Sequence, residues 1–81
     1  MFKRNKTKLM ILRLVEKWGP VSVDEIVLHS DEYLKPAGVR MELYRLFNQR
    51  LLGRYKNGRA YYYEITERGI NRIDFLEDAD F

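Results

Sequence analysis

The chain has no cysteine and only one histidine, His29. No disulfide framework and no thiolate metal site can be built from such a composition, which suits a reducing compartment. One imidazole and no thiol also leave little for a nucleophile and its base. Neither a P-loop nor a GxGxxG loop occurs, and the acids stand in blocks instead of as a spaced pair in apolar surroundings. The expectation is a protein that is not an enzyme and carries no cofactor or metal. Long hydrophobic runs are missing too. The apolar stretch Leu9–Leu12 is broken at once by Arg13, Glu16 and Lys17, and no small-residue cleavage site follows, so neither a secretory leader nor a membrane span is expected. No segment is of low complexity.

What is present is globular: 46% of the 81 residues are hydrophobic. That length makes one domain, residues 1–81. A chain this short buries only roughly 60% of its unfolded surface, so its core must be economical or shared with a second subunit. The net charge of +3 hides a strong segregation. Residues 1–17 carry six basic groups and one acid, and residues 18–34 carry four acids and no Lys or Arg. Residues 35–60 then hold seven basic groups against the single acid Glu42, and residues 61–81 hold six acids against two arginines. Blocks of this kind imply one positive face that draws a polyanion, with nucleic acid first among them. The competing reading is charge merely mixed over a solvated surface.

Local signals divide the chain. Residues 1–6 form a basic arm. A helix over 7–18 follows, capped by Asn5 or Thr7, with Leu9, Leu12 and Val15 inward and Trp18 as a core residue; Gly19 and Pro20 stop it. Val21 can serve as a one- or two-residue strand. Ser22-Val23-Asp24-Glu25 is a capping box that opens a short helix over 23–29, with Ile26 and Val27 or Leu28 facing inward and His29 at its end. After a connection pinned by Leu34, Pro36 starts a helix over 36–50. At 100° per residue, Val39, Leu43, Leu46, Phe47 and the stem of Arg50 share one side, and Ala37, Met41, Tyr44, Arg45 and Asn48 share the other. A hairpin over 51–65 turns around Asn57-Gly58, with Tyr61 and Tyr63 as hairpin core. Thr66 caps a last helix over 67–77, whose inner stripe is Ile70, Ile73 and Leu76.

The order helix, short strand, helix, helix, hairpin, helix resembles the winged helix-turn-helix domain of small prokaryotic and viral transcriptional regulators. That is an α+β fold with a three-helix core, a two-stranded β-hairpin wing and a C-terminal helix. The specific part of the resemblance is Val39-Arg40, Leu43, Leu46, Leu51-Leu52 and Gly58, followed by Tyr63-Glu64-Ile65-Thr66-Glu67-Arg68-Gly69. The chain departs from that pattern in a longer connection over Ser30–Lys35 and in having Arg50 where glycine usually follows the third helix. The resemblance implies that 36–50 is a recognition helix and that Lys56 to Arg59 is the wing tip.

Residue chemistry agrees: Arg pairs bidentately with guanine and Asn with adenine in the major groove. Candidate DNA contacts on the helix are Lys35, Arg40, Arg45 and Asn48. Met41 and Tyr44 suit thymine methyls or sugars, and the small Ala37 and Gly38 allow close approach. On the wing, Arg54, Lys56, Asn57 and Arg59 would grip phosphate or enter the minor groove. Lys3, Arg4 and Lys6 of the arm would add backbone contacts. For several of these a local role competes: Arg40 or Arg45 can pair with Glu42 or Asn48 on a solvated surface. The function expected is sequence-specific binding of double-stranded DNA by a cytoplasmic transcriptional regulator, on a nucleoid or in a host cell, with no membrane and no small-molecule ligand. Pairing as a homodimer would sharpen specificity; Phe2, Phe75 and Phe81 are candidates for that contact. The alternative is a winged helix used as a protein–protein interaction module in a transcription or replication assembly.

Overall fold

The computed structural model describes residues 3–30 and 34–78, excluding the side chains of residues 3–5. The elements run α1 (Lys3–Trp18), α2 (Val23–His29), α3 (Pro36–Asn48), β1 (Leu52–Asn57), β2 (Ala60–Ile65) and α4 (Glu67–Asp78). Helix α1 begins four residues before the expected Thr7. Nothing in Lys3-Arg4-Asn5-Lys6 breaks a helix, and Lys and Arg are good helix formers. The stretch expected as a basic arm is therefore, from Lys3 onward, the first turn of α1. Phe2 lies outside the described residues, as does Phe81.

Ile11, Leu12 and Val15 of α1 are buried, and Gly19 ends the helix at φ 76°, a left-handed conformation. Trp18 is not a core residue: 49% of it is exposed. It is the last residue of α1, three past Val15, and its ring stacks on His29 of α2 with centroids 4.4 Å apart. The capping box of α2 forms in both directions. The Ser22 N–H donates to Glu25 Oε1 at 2.9 Å, and the Glu25 N–H donates to Ser22 Oγ at 3.3 Å. Ile26 faces the core with Val27 against it, whereas Leu28 is exposed.

Helix α3 buries Val39, Leu43 and Leu46 and ends at Asn48, two residues earlier than expected. The reason is a Schellman closure. The Arg50 N–H donates to the Phe47 carbonyl and the Leu51 N–H to the Leu46 carbonyl, with Arg50 at φ 64°. Arginine thus occupies the left-handed position that glycine usually fills, at a cost of about 1–2 kcal/mol in backbone strain. Its stem is exposed and does not join the inner face of α3.

The strands pair antiparallel from Leu52↔Ile65 to Asn57↔Ala60. Asn57 is therefore the last paired residue, and Gly58-Arg59 form the two-residue turn, one place later than the Asn-Gly signal suggests. Gly58 takes φ 67° at the first central position, the place where a tight hairpin turn needs glycine. Val21 adds a third, single-residue strand: it exchanges two backbone hydrogen bonds with Tyr63. Tyr63 is buried, but Tyr61 is exposed and is not hairpin core.

Helix α4 closes the core with Ile73 and Leu76, and Glu77 forms an ion pair with Arg13 of α1. Ile70, expected on the inner stripe, is exposed, and Gly69 takes its place against the hairpin base. A β-carbon on Gly69 would lie 2.1 Å from the Leu51 carbonyl oxygen, so only glycine lets α4 come this close. Thr66 completes the corner. Its hydroxyl accepts from the Gly69 N–H at 3.0 Å and lies 2.8 Å and 2.9 Å from the Arg50 and Leu51 carbonyls, to which it donates. The Thr-Glu-basic-Gly motif is thus a device for seating α4 on the corner between α3 and β1. Among the described residues, no helix is long and apolar enough to cross a membrane.

Candidate nucleic-acid interface

Helix α3 places Val39, Leu43 and Leu46 inside, and the 100° step per residue sends the other candidates outward. Lys35, Ala37, Gly38, Arg40, Met41, Tyr44, Arg45 and Asn48 are all exposed. For the large apolar residues this is unusual: Met41 is 58% and Tyr44 52% accessible, although the core lies directly behind them. The space in front of Gly38 is open, with no atom within 4 Å of where a β-carbon would stand.

Between this face and the hairpin runs a groove of about 710 Å³. Arg40, Met41, Tyr44 and Arg45 line it from α3, and Arg54, Arg59 and Tyr61 line it from the wing. The arginines of the third helix and those of the hairpin therefore share one surface. Lys56 and Asn57 are exposed at the hairpin tip, and Lys6 is exposed on the first turns of α1. Lys3 and Arg4 fall in the same helix, but their side chains are outside the described residues.

Two arginines are engaged locally. Arg45 Nη1 lies 3.6 Å from Glu42 Oε1, the pairing weighed against DNA contact in the sequence. Glu42 is 7% exposed and is the one charged residue buried among those described. Its carboxylate is thus paired with an arginine that also lines the groove. The second is Arg54. Expected to reach outward for phosphate, its guanidinium is turned in among aromatic rings. Its central carbon lies 4.3 Å from the Phe47 centroid, 4.3 Å from that of Tyr61 and 5.8 Å from that of Tyr44. Nη1 donates to the Tyr63 hydroxyl at 3.4 Å, and this contact raises the Arg54 pKa further above its ordinary value. Register explains the placement: Arg54 stands opposite Tyr63 on the hairpin face that looks toward α3. Tyr55 and Tyr62 stack on the other face with centroids 6.0 Å apart.

Ser22, Val23 and Asp24 also line the groove, which was not anticipated. The Val21–Tyr63 bridge carries the start of α2 to the side of β2, and no local pattern in the sequence announces that pairing.

Comparison with solved structures decides the fold. The chain superimposes on the YusO protein from Bacillus subtilis with a TM-score of 0.77 and 25% identity, covering 86% of this chain and 50% of that one. It matches a PadR family transcription regulator from Clostridium difficile at 0.74 and 25% identity, covering 86% of this chain and 81% of the other. The AntR antimony-specific transcriptional repressor matches at 0.73 and 27% identity, over 91% of this chain and 63% of that one. The fold is a winged helix-turn-helix. In this winged helix, α3 stands as the second helix of the helix-turn-helix and β1–β2 as the wing. The chain spans about half the length of YusO and of several other solved structures it matches. No protein-family model matches the sequence, and no curated protein does.

Proposed function

We propose that this winged helix is a sequence-specific, double-stranded DNA-binding transcriptional regulator that works as a homodimer. The observation that carries the reading is the shared groove, in which an uncovered helix face and the wing present Arg40, Arg45 and Arg59 together. A protein keeps Met41 and Tyr44 uncovered beside several cations when a partner supplies both apolar edges and negative charge. A duplex groove does both. The kinship in fold with proteins described as transcription regulators and repressors supports the same reading.

In this mechanism α3 enters the major groove. Arg40, which has no carboxylate partner among the described residues, reads a guanine edge; Asn48 reads adenine further along. Met41 and Tyr44 meet thymine methyls or sugars, and Ala37 and Gly38 let the helix start approach the bases. Lys35, Lys56, Asn57 and Arg59 hold phosphates or the minor-groove edge, and Lys3, Arg4 and Lys6 add backbone contacts from α1. Two copies reading a palindromic site would extend a recognition surface too small to be selective alone. The exposed Phe75 of α4 is the described candidate for that contact.

Selection of bound duplexes from a random pool, followed by anisotropy titrations, tests this. Affinity should fall steeply between about 50 and 200 mM salt. Arg40→Ala should flatten discrimination among sequences, whereas Lys56→Ala should weaken all of them alike. If no duplex is bound at low salt, the reading fails and a protein–protein module takes its place.

A further inference from the structure

We infer that Arg54 is a positioning residue: it pins the wing to the recognition helix and so presets the width of the groove, and it does not itself hold phosphate. The inference rests on the DNA-binding reading for its consequence, but the pin is a property of the free protein.

The geometry is one of shared contact. Phe47 and Tyr44 belong to α3, Tyr61 and Tyr63 to β2, and Arg54 to β1, so one guanidinium touches all three elements at once. Among the described residues no carboxylate pairs with it, and the π faces of the rings take the place of a counter-ion. A guanidinium fits here because it is planar and weakly hydrated, so it can lie against rings while one N–H still reaches a phenol. Lysine offers a compact, strongly hydrated point charge on a flexible stem and cannot reproduce this set. The base of the wing is held by buried Leu52 and by the Val21–Tyr63 bridge, so the pin acts on the outer part. Lys56, Asn57, Gly58 and Arg59 at the tip are all exposed. Released from α3, the paired hairpin tip would swing as a unit, and a ligand would have to fix its orientation again. A pinned wing avoids that cost at the moment of binding.

Charge-retaining substitution separates pinning from phosphate contact. Lysine is a competent phosphate binder, so a phosphate-gripping Arg54 would be rescued by Arg54→Lys. A pinning Arg54 would not. Nitrogen-15 relaxation on the free protein is the first measurement. In Arg54→Lys the order parameters of the Gly58 and Arg59 amides should drop from near about 0.85 towards about 0.6 or below, while those of α1 and α3 stay unchanged. The second is DNA titration over a range of salt. Arg54→Lys and Arg54→Met should both lose on the order of tenfold or more in affinity with the wild-type salt slope retained. Arg59→Ala should instead make the slope shallower by about 0.9. Unchanged wing order parameters in Arg54→Lys overturn the inference, and so does wild-type affinity in that variant or a shallower slope in Arg54→Met. A chain that binds no duplex but shows the loosened wing would instead refute the DNA reading and leave the pin standing.

Discussion

Two junctions join α3 to the rest of the C-terminal half, and they are built in opposite ways. At the corner where α3 meets β1 and α4, the contacts are mostly backbone: a Schellman closure, a threonine hydroxyl shared between carbonyls, and a glycine against the Leu51 carbonyl. At the groove, α3 meets the wing through side chains alone, with Arg54 as their common member. Backbone contacts have few geometries and tolerate no added atom. Side-chain contacts are adjustable and leave the groove open. The first arrangement suits a part that must not move, the second a surface that must fit a partner.

The same glycine-to-alanine change should act with opposite sign at the two places, and this is the strongest way to break the comparison. Gly69→Ala drives a β-carbon into the Leu51 carbonyl and to 2.7 Å from Ile65 Cδ1. We expect a loss of about 3 kcal/mol, which lowers the melting temperature by more than about 10 °C for a domain of this size. Thr66→Val keeps the shape but removes the hydroxyl from three partners, and should cost about 1–2 kcal/mol in urea denaturation. Gly38→Ala, on the groove side, meets nothing within 4 Å. It should raise stability by about 0.5–1 kcal/mol through helix propensity, visible as a higher urea midpoint. If Gly38→Ala destabilised as much as Gly69→Ala, the contrast between a filled corner and an open groove would be wrong.

Much of the fold was legible because its signals are local. The capping box at Ser22–Glu25, the stop at Gly19-Pro20 and the start at Pro36 each act within four residues. The outward turn of Met41, Tyr44 and Arg45 follows from helical phase alone, because Val39, Leu43 and Leu46 face inward; phase puts Arg40 only at the border, and the structure exposes it. The errors lie where phase does not say what stands opposite. Trp18 and Ile70 sit on the phase of their helices' inner faces, yet the core does not extend to them: Trp18 stacks on His29 and stays half exposed, and Ile70 is exposed. Arg50 could not be assigned from propensity, since arginine rarely accepts a left-handed φ; the corner imposes it. The turn slipped by one residue because Asn57-Gly58 and Gly58-Arg59 both satisfy a glycine-dependent turn, and only cross-strand pairing chooses between them.

The order of the elements, the stop at Gly19-Pro20, the starts at Ser22–Glu25 and Pro36, and the positive side of α3 are written in the chain alone, because they depend on contacts between near neighbours. That Asp24 joins the lining of the groove, that Glu42 pairs with Arg45, and that Arg54 lies among the rings of Phe47, Tyr61 and Tyr44 came only with the packed fold. These depend on elements distant in the chain coming together, and a side chain's direction is settled by the partners it finds there.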